Sequence, residues 1–84
     1  MNYFYILKSE VDDKYYYGST NDLKRRFNQH QSGKVKATKY RLPLSLVYYE
    51  AYTSLKLARS REKQVKLSGS VRGSIIKRVN SMHP

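Results

Sequence analysis

Cysteine is absent from the 84 residues. Disulfide staples and thiolate metal sites are therefore excluded. Tryptophan is absent too, whereas tyrosine occurs nine times. A tyrosine ring can fill a core, but its hydroxyl still needs a partner. A mixed interior is expected, with some hydroxyls facing a cleft. No apolar run approaches the length that spans a membrane, so no membrane association of that kind is expected. The start, Met1-Asn2-Tyr3-Phe4-Tyr5, lacks the basic stretch and long apolar segment of an export leader. A cytoplasmic protein is the expectation. Acidic residues are scarce, six against 17 Lys and Arg, for a net charge of +11.

That imbalance is the strongest global signal. It favours a polyanionic partner, with nucleic acid first and an anionic membrane surface second. No basic helix shows a clean apolar face free to lie on lipid, which weighs against the membrane. A solvated basic surface without a partner is the plainest alternative, but its self-repulsion would cost stability. Hydrophobic residues make up 39%, enough for one globular core at this length. No internal repeat or linker divides the chain, so residues 1–84 read as a single domain.

Tyr3 to Lys8 reads as a strand. Tyr3, Tyr5 and Leu7 fall on one face, Phe4 and Ile6 on the other, so the strand should be central and covered on both sides. Ser9 to Lys14 is a polar turn, and Tyr15 to Ser19 a second aromatic-rich strand. A turn centred between Glu10 and Val11 would pair Tyr5 with Tyr16 and point both to one face. Thr20 or Asn21 should cap a helix that Asp22 favours electrostatically and that runs to about Gln31, with Gly33 as the stop. Lys34 to Pro43 is a basic loop, and Leu44 to Tyr52 a third strand. A second helix should run from near Ser54 to Leu67 and end at Gly69. A last helix should run from Ser70 to Asn80, with Gly73 weakening it.

Three features invite a chemical reading. Glu62 interrupts the apolar stripe of the second helix formed by Leu55, Ala58 and Val65. A carboxylate there is costly unless paired. Arg59, Arg61, Lys63 and Lys66 lie around it, so it is either a half-exposed salt bridge or a lone hard-oxygen metal ligand suited to Mg2+ beside a phosphate. Arg26 lies in phase with Leu23 and Phe27, toward the sheet, where a guanidinium fork at a cleft can clamp a phosphate. His30 stands one turn further along that side, as a structural histidine or as part of a site. Tyr5 and Tyr16 form either a core aromatic pair or a site in which one phenol is a general base. An unperturbed phenol titrates near ~10, so that role needs positive charge close by.

These residues resemble the GIY-YIG nuclease family, especially its short stand-alone bacterial branch. The resemblance rests on Tyr16-Tyr17-Gly18, then Asp22-Leu23-Lys24-Arg25-Arg26 with His30 four residues on, and on the helix Arg59-Ser60-Arg61-Glu62-Lys63 after the strand Leu46 to Glu50. It is clearest over residues 3–67. It implies an α+β fold, a small three-stranded antiparallel sheet flanked by helices. Carried over by position, the family's two tyrosines fall on Tyr5 and Tyr16, its arginine on Arg26, its histidine on His30 and its metal-binding glutamate on Glu62. Two departures stand out. Gly-Ile-Tyr is replaced by Tyr3-Phe4-Tyr5, and Asn80 is the one late candidate for the family's late asparagine.

The resemblance implies phosphodiester hydrolysis of DNA, in repair or recombination, with Mg2+ or another divalent cation. Tyr5 or Tyr16 would activate water, Arg26 would neutralise phosphoryl charge, and His30 would orient a phenol or assist proton transfer. Lys34, Lys36, Lys39 and Arg41 of the loop, with Arg59, Lys63 and Lys66 of the second helix, would grip the backbone without reading sequence. A protein partner would supply specificity. The rival expectation is a basic nucleic-acid-binding module on the same fold that does not cut.

Overall fold

A computed structural model gives the fold and describes residues 1–82. It is α+β: β1 (Asn2–Ser9), β2 (Tyr15–Thr20), α1 (Leu23–Gln31), β3 (Leu44–Tyr52), α2 (Leu55–Leu67) and α3 (Gly69–Met82). The sheet is antiparallel in the order β2-β1-β3, so β1 is central as its two apolar faces predict. On one face Phe4 and Ile6 pack with Val65 of α2 and with Ile75 and Val79 of α3. On the other, Tyr5 and Leu7 pack with Leu44 and with Leu23 and Phe27 of α1. Full burial of each aliphatic or phenyl side chain from β1 contributes about 1.5–3 kcal/mol. Among the described residues no helix is long and apolar enough to cross a membrane.

The hairpin register differs from the sequence expectation by two residues. Tyr5 lies opposite Gly18, and Tyr16 opposite Leu7. The cause is local to the turn. Ser9 Oγ accepts from the Val11 and Asp12 amides, Asp13 adopts φ 58°, and the Ser9 amide donates to the Lys14 carbonyl at 2.9 Å. The turn therefore centres one residue later than expected. A two-residue shift preserves side-chain parity, so Tyr5 and Tyr16 still share a face.

Helix boundaries also correct the reading. Asp22 is the N-cap of α1, its carboxylate accepting from the Arg25 amide at 3.0 Å, while Thr20 Oγ1 accepts from the Asp22 amide just before it. Asp is as good a cap as Thr or Asn, and here it alone stands directly before the first helical residue. Ser32 caps the far end, and Gly33 takes the left-handed φ of 75° that a side chain disfavours. Gly69 does not end α2. Ser68 does, and its hydroxyl accepts from the Val71 amide to start α3, so the two helices meet at one residue. Arg72 then donates to the Val65 and Lys66 carbonyls at the end of α2.

One buried-side carboxylate fixes how α2 sits on the sheet. Glu50 of β3 accepts from Tyr48 and Tyr52 hydroxyls, each at 2.6 Å, and from Arg61 Nε and Nη2 at 2.9 and 3.2 Å. Burial pushes the Glu50 carboxyl up, but the hydrogen bonds from Arg61 and the two phenols outweigh it and hold the group below its ordinary range. Arg61 is thus held toward β3, which sets the rotation of α2 and carries the neighbouring Glu62 to the β2 side.

Candidate active site

The Tyr-x-Gly element of β2 builds the floor of the site. Tyr5 projects from β1 across to Gly18, its register partner, where no side chain stands in the way. A Cβ at Gly18 would lie 2.5 Å from Tyr5 Cζ and 2.9 Å from Cε1, nearer still to the hydroxyl oxygen. Only glycine leaves this slot open. The phenol reaches His30 of α1, Oη to Nε2 at 2.9 Å, and His30 Nδ1 lies 2.8 Å from Thr38 Oγ1. Tyr5, His30 and Thr38 are at most 2% exposed. Tyr16 closes the cluster, its ring edge-on to His30 at 5.1 Å and tilted against Tyr5 at 6.5 Å.

Electrostatics separate these groups. Burial raises the Tyr5 phenol to about 12, with the Arg26 guanidinium pulling against it by hydrogen bonding and charge. Tyr16 and Glu62 push the same phenol further up, so all three lie within its electrostatic reach. Burial first, then the Arg26 charge, lowers His30 to about 4. The imidazole is therefore neutral at physiological pH, one ring nitrogen donating and the other accepting. Arg26 is half-buried and is steadied by Gln29, Nη1 to Oε1 at 3.1 Å.

Glu62 comes from the opposite face of the sheet and meets this cluster around the β2 edge. Ser19, next to Gly18, donates to Glu62 Oε1 at 2.6 Å, and Lys66 Nζ pairs with Oε2 at 2.5 Å. Two hollows run together along that edge. One of about 310 Å³ is lined by Ser19, Asn21, Arg25, Arg26, Gln29 and Arg59, among others. The next, about 460 Å³, is lined by Ser19, Arg59, Glu62, Lys63, Lys66 and Leu67. They share Ser19 and Arg59. The result is one groove with five cationic side chains and a single carboxylate.

Tyr5, Tyr16, Arg26, His30 and Glu62, far apart in sequence, are thus brought to one edge. Of these five, Arg26 and Glu62 line the groove together with Arg59, Lys63 and Lys66, whereas Tyr5, Tyr16 and His30 are not among its lining residues. The loop cations are placed differently. Lys34, Lys36 and Lys39 are exposed after α1, Lys34 at the outer face of that helix and Lys39 over the Tyr40 ring at 4.9 Å. Arg41 turns inward, Nε 3.3 Å from Asp12 Oδ2, while Ser9 Oγ donates to its carbonyl. Arg41 thereby fastens the loop to the β1–β2 turn. Asn80 of α3 accepts from the Tyr15 hydroxyl at 3.2 Å and is not among the residues lining the groove.

Sequence reading missed Ser19, Arg25, Gln29 and Thr38. Arg25 sits inside the quoted motif and Ser19 directly follows Gly18, so proximity to Gly18 and Arg26 was a usable signal. Thr38 carried none, because it lies in a loop read only for its charge.

Among the described residues no group of three or more His, Cys, Asp and Glu is assembled. A closed protein cage for a metal is therefore not present among them. One carboxylate beside a hydroxyl, in a groove lined by cations, still fits a hard divalent cation that keeps most of its waters.

Comparison with known proteins agrees with this fold. A family model described as the GIY-YIG catalytic domain matches residues 1–70. A UPF0213 protein of Streptococcus pyogenes serotype M3 is 48% identical over 65 residues, 76% of this chain and 70% of that one. Its counterpart in serotype M5 (strain Manfredo) is 46% identical over the same shares. The solution NMR structure of a UPF0213 protein from Bacillus halodurans superposes with a TM-score of 0.57 at 38% identity, covering 92% of this chain and 84% of that one.

Proposed function

This chain belongs to the GIY-YIG catalytic-domain family, and from that premise we propose that it is a metal-dependent endonuclease hydrolysing phosphodiester bonds in DNA. One observation carries the proposal: the groove along β2 combines five cations with a lone carboxylate, and the charges of its Arg26 and Glu62 reach Tyr5 of the tyrosine–histidine cluster. A surface meant only to hold phosphates gains nothing from a carboxylate at its centre.

The roles follow from burial and contact. Tyr5 is enclosed, high in pKa and tied to His30, so it serves the site by position. Tyr16 is half-exposed on the same face and takes the general-base role. As phenolate it accepts a proton from water. The resulting hydroxide attacks phosphorus, and the P–O bond to the leaving deoxyribose oxygen breaks. Arg26 neutralises charge growing on the phosphoryl oxygens. Glu62, with Ser19 at Oε1, would hold the divalent cation, Mg2+ in the first instance, which supplies Lewis-acid stabilisation when bound. Lys66 would give up its pairing with Glu62 and turn to a phosphate. Arg25, Arg59, Lys63 and Lys66 hold the backbone on either side, and these contacts carry no sequence information. Target choice falls to DNA shape or to a protein partner, and branched DNA in repair or recombination, in the cytoplasm, is the substrate class the activity would serve.

Glu62→Gln tests the reading, with binding and cleavage measured on one branched and one plain duplex, in Mg2+ and in chelator. The variant removes a negative charge from the groove, so it should bind at least as tightly as the parent. Its Mg2+-dependent cleavage should fall by about two or more orders of magnitude. Undiminished cleavage would make Glu62 a structural partner of Ser19 and Lys66. A parent that binds in a salt-sensitive way yet cuts no DNA form would establish the binding module instead.

A further inference from the structure

We propose that Thr38 is a positioning residue that fixes the tautomer of His30, and through it the direction in which the Tyr5 hydroxyl points. The observation is a closed chain of three buried side chains, Thr38 Oγ1 to His30 Nδ1 at 2.8 Å and His30 Nε2 to Tyr5 Oη at 2.9 Å. Thr38 and His30 are both 0% exposed, so solvent does not reach either end of the ring.

A neutral imidazole has one donating and one accepting nitrogen, so Thr38 and Tyr5 must take opposite roles toward it. The Arg26 charge acts on Tyr5 and favours a phenol that turns its oxygen lone pair to the cation and its proton away from it. The Tyr5 proton is therefore assigned to His30 Nε2, its hydrogen-bond partner at 2.9 Å. Nε2 is then the accepting nitrogen, Nδ1 carries the hydrogen, and that hydrogen is donated to Thr38 Oγ1. A ring held this way has no exit for a proton. His30 is a fixed acceptor, and it holds the Tyr5 hydroxyl hydrogen toward Nε2.

The position of Thr38 also ties the basic loop to the site. Val35 and Thr38 are the buried residues of that loop, while Lys34, Lys36 and Lys39 around them are exposed. The Thr38 amide donates to the Val35 carbonyl at 3.1 Å and the Arg41 amide to the Thr38 carbonyl at 2.9 Å. The turn that presents the cations to solvent therefore holds the Thr38 hydroxyl against His30.

The tautomer claim stands without any nuclease activity, and its catalytic consequence rests on the function proposed above. Ring nitrogen shifts of the 15N-labelled full chain read the tautomer directly, with His30 assigned through His30→Gln. The native protein should show Nδ1 protonated and Nε2 bare, and an Nε2-protonated ring would overturn this assignment without any variant. Thr38→Ser should keep the native pattern, and Thr38→Val should shift it toward Nε2–H. Turnover of Thr38→Val should drop about tenfold with KM for DNA little changed, and Thr38→Ser should restore it. Unaltered nitrogen shifts in a folded Thr38→Val protein would overturn the proposal. Shifts that move as expected, in a protein that cuts no DNA, would support the tautomer assignment and remove the nuclease reading alone.

Discussion

Gly18→Ala probes the slot in which the Tyr5 ring lies. The added methyl would stand 2.5 Å from Tyr5 Cζ and 2.9 Å from Cε1, inside any contact real carbon atoms make. The ring has no free direction, being 2% exposed and flanked by Tyr16 and His30. Either Tyr5 or the β1–β2 backbone must shift. Overpacking of this kind costs about 1–3 kcal/mol. Displacing Tyr5 also parts it from His30 Nε2 and leaves two buried polar groups unpaired, about 1–3 kcal/mol more. A combined loss near 3 kcal/mol would lower the Tm of a domain this size by roughly 12–24 °C. Urea titration and thermal melting would both read it. A double-mutant cycle isolates the cause, because Tyr5→Leu removes the ring that the methyl meets. In that background Gly18→Ala should cost about 1 kcal/mol or less. If Gly18→Ala alone stays within about 0.5 kcal/mol of the parent, the close approach of Tyr5 is not what requires glycine.

Two further outcomes follow from the charges. His30 titrates near 4 in the fold against an ordinary value of 6.5, so the unfolded chain takes up a proton first as pH falls. This contribution to stability is complete above pH 6.5 and is lost progressively down to about pH 4, on the order of 3 kcal/mol in all. Urea unfolding of the parent across that window should show the decline, and His30→Gln should flatten its upper part; a parallel slope in the variant would refute it. For DNA binding, five phosphate contacts from Arg25, Arg26, Arg59, Lys63 and Lys66 give a log–log salt slope of about −4.5. Lys63→Ala should reduce that slope by about 1, whereas Arg41→Ala should leave it unchanged and lower Tm, because Arg41 is engaged with Asp12. A slope that responds to Arg41 as it does to Lys63 would put Arg41 on the DNA.

The sequence by itself determined the elements and the side on which each functional residue falls. Two apolar faces in Tyr3 to Lys8 require a covered central strand, and the phase of Arg26 and His30 with Leu23 and Phe27 turns both toward the sheet. Parity kept Tyr5 and Tyr16 together even though the hairpin register moved by two residues. Tyr-x-Gly marked a close approach without saying of what. Those features depend on periodicity, which the chain carries locally. Tertiary structure decided the rest, because it depends on groups distant in sequence. The Glu50–Arg61 fork rotates α2 so that Glu62 meets Ser19 across 43 positions of chain, and Thr38 reaches His30 from a loop with no pattern of its own. Arg41 and Lys63 look alike in sequence, yet Asp12 holds one against the hairpin turn while the other lines the groove. A charge identifies what a residue can pair with, and only the fold decides which partner is within reach.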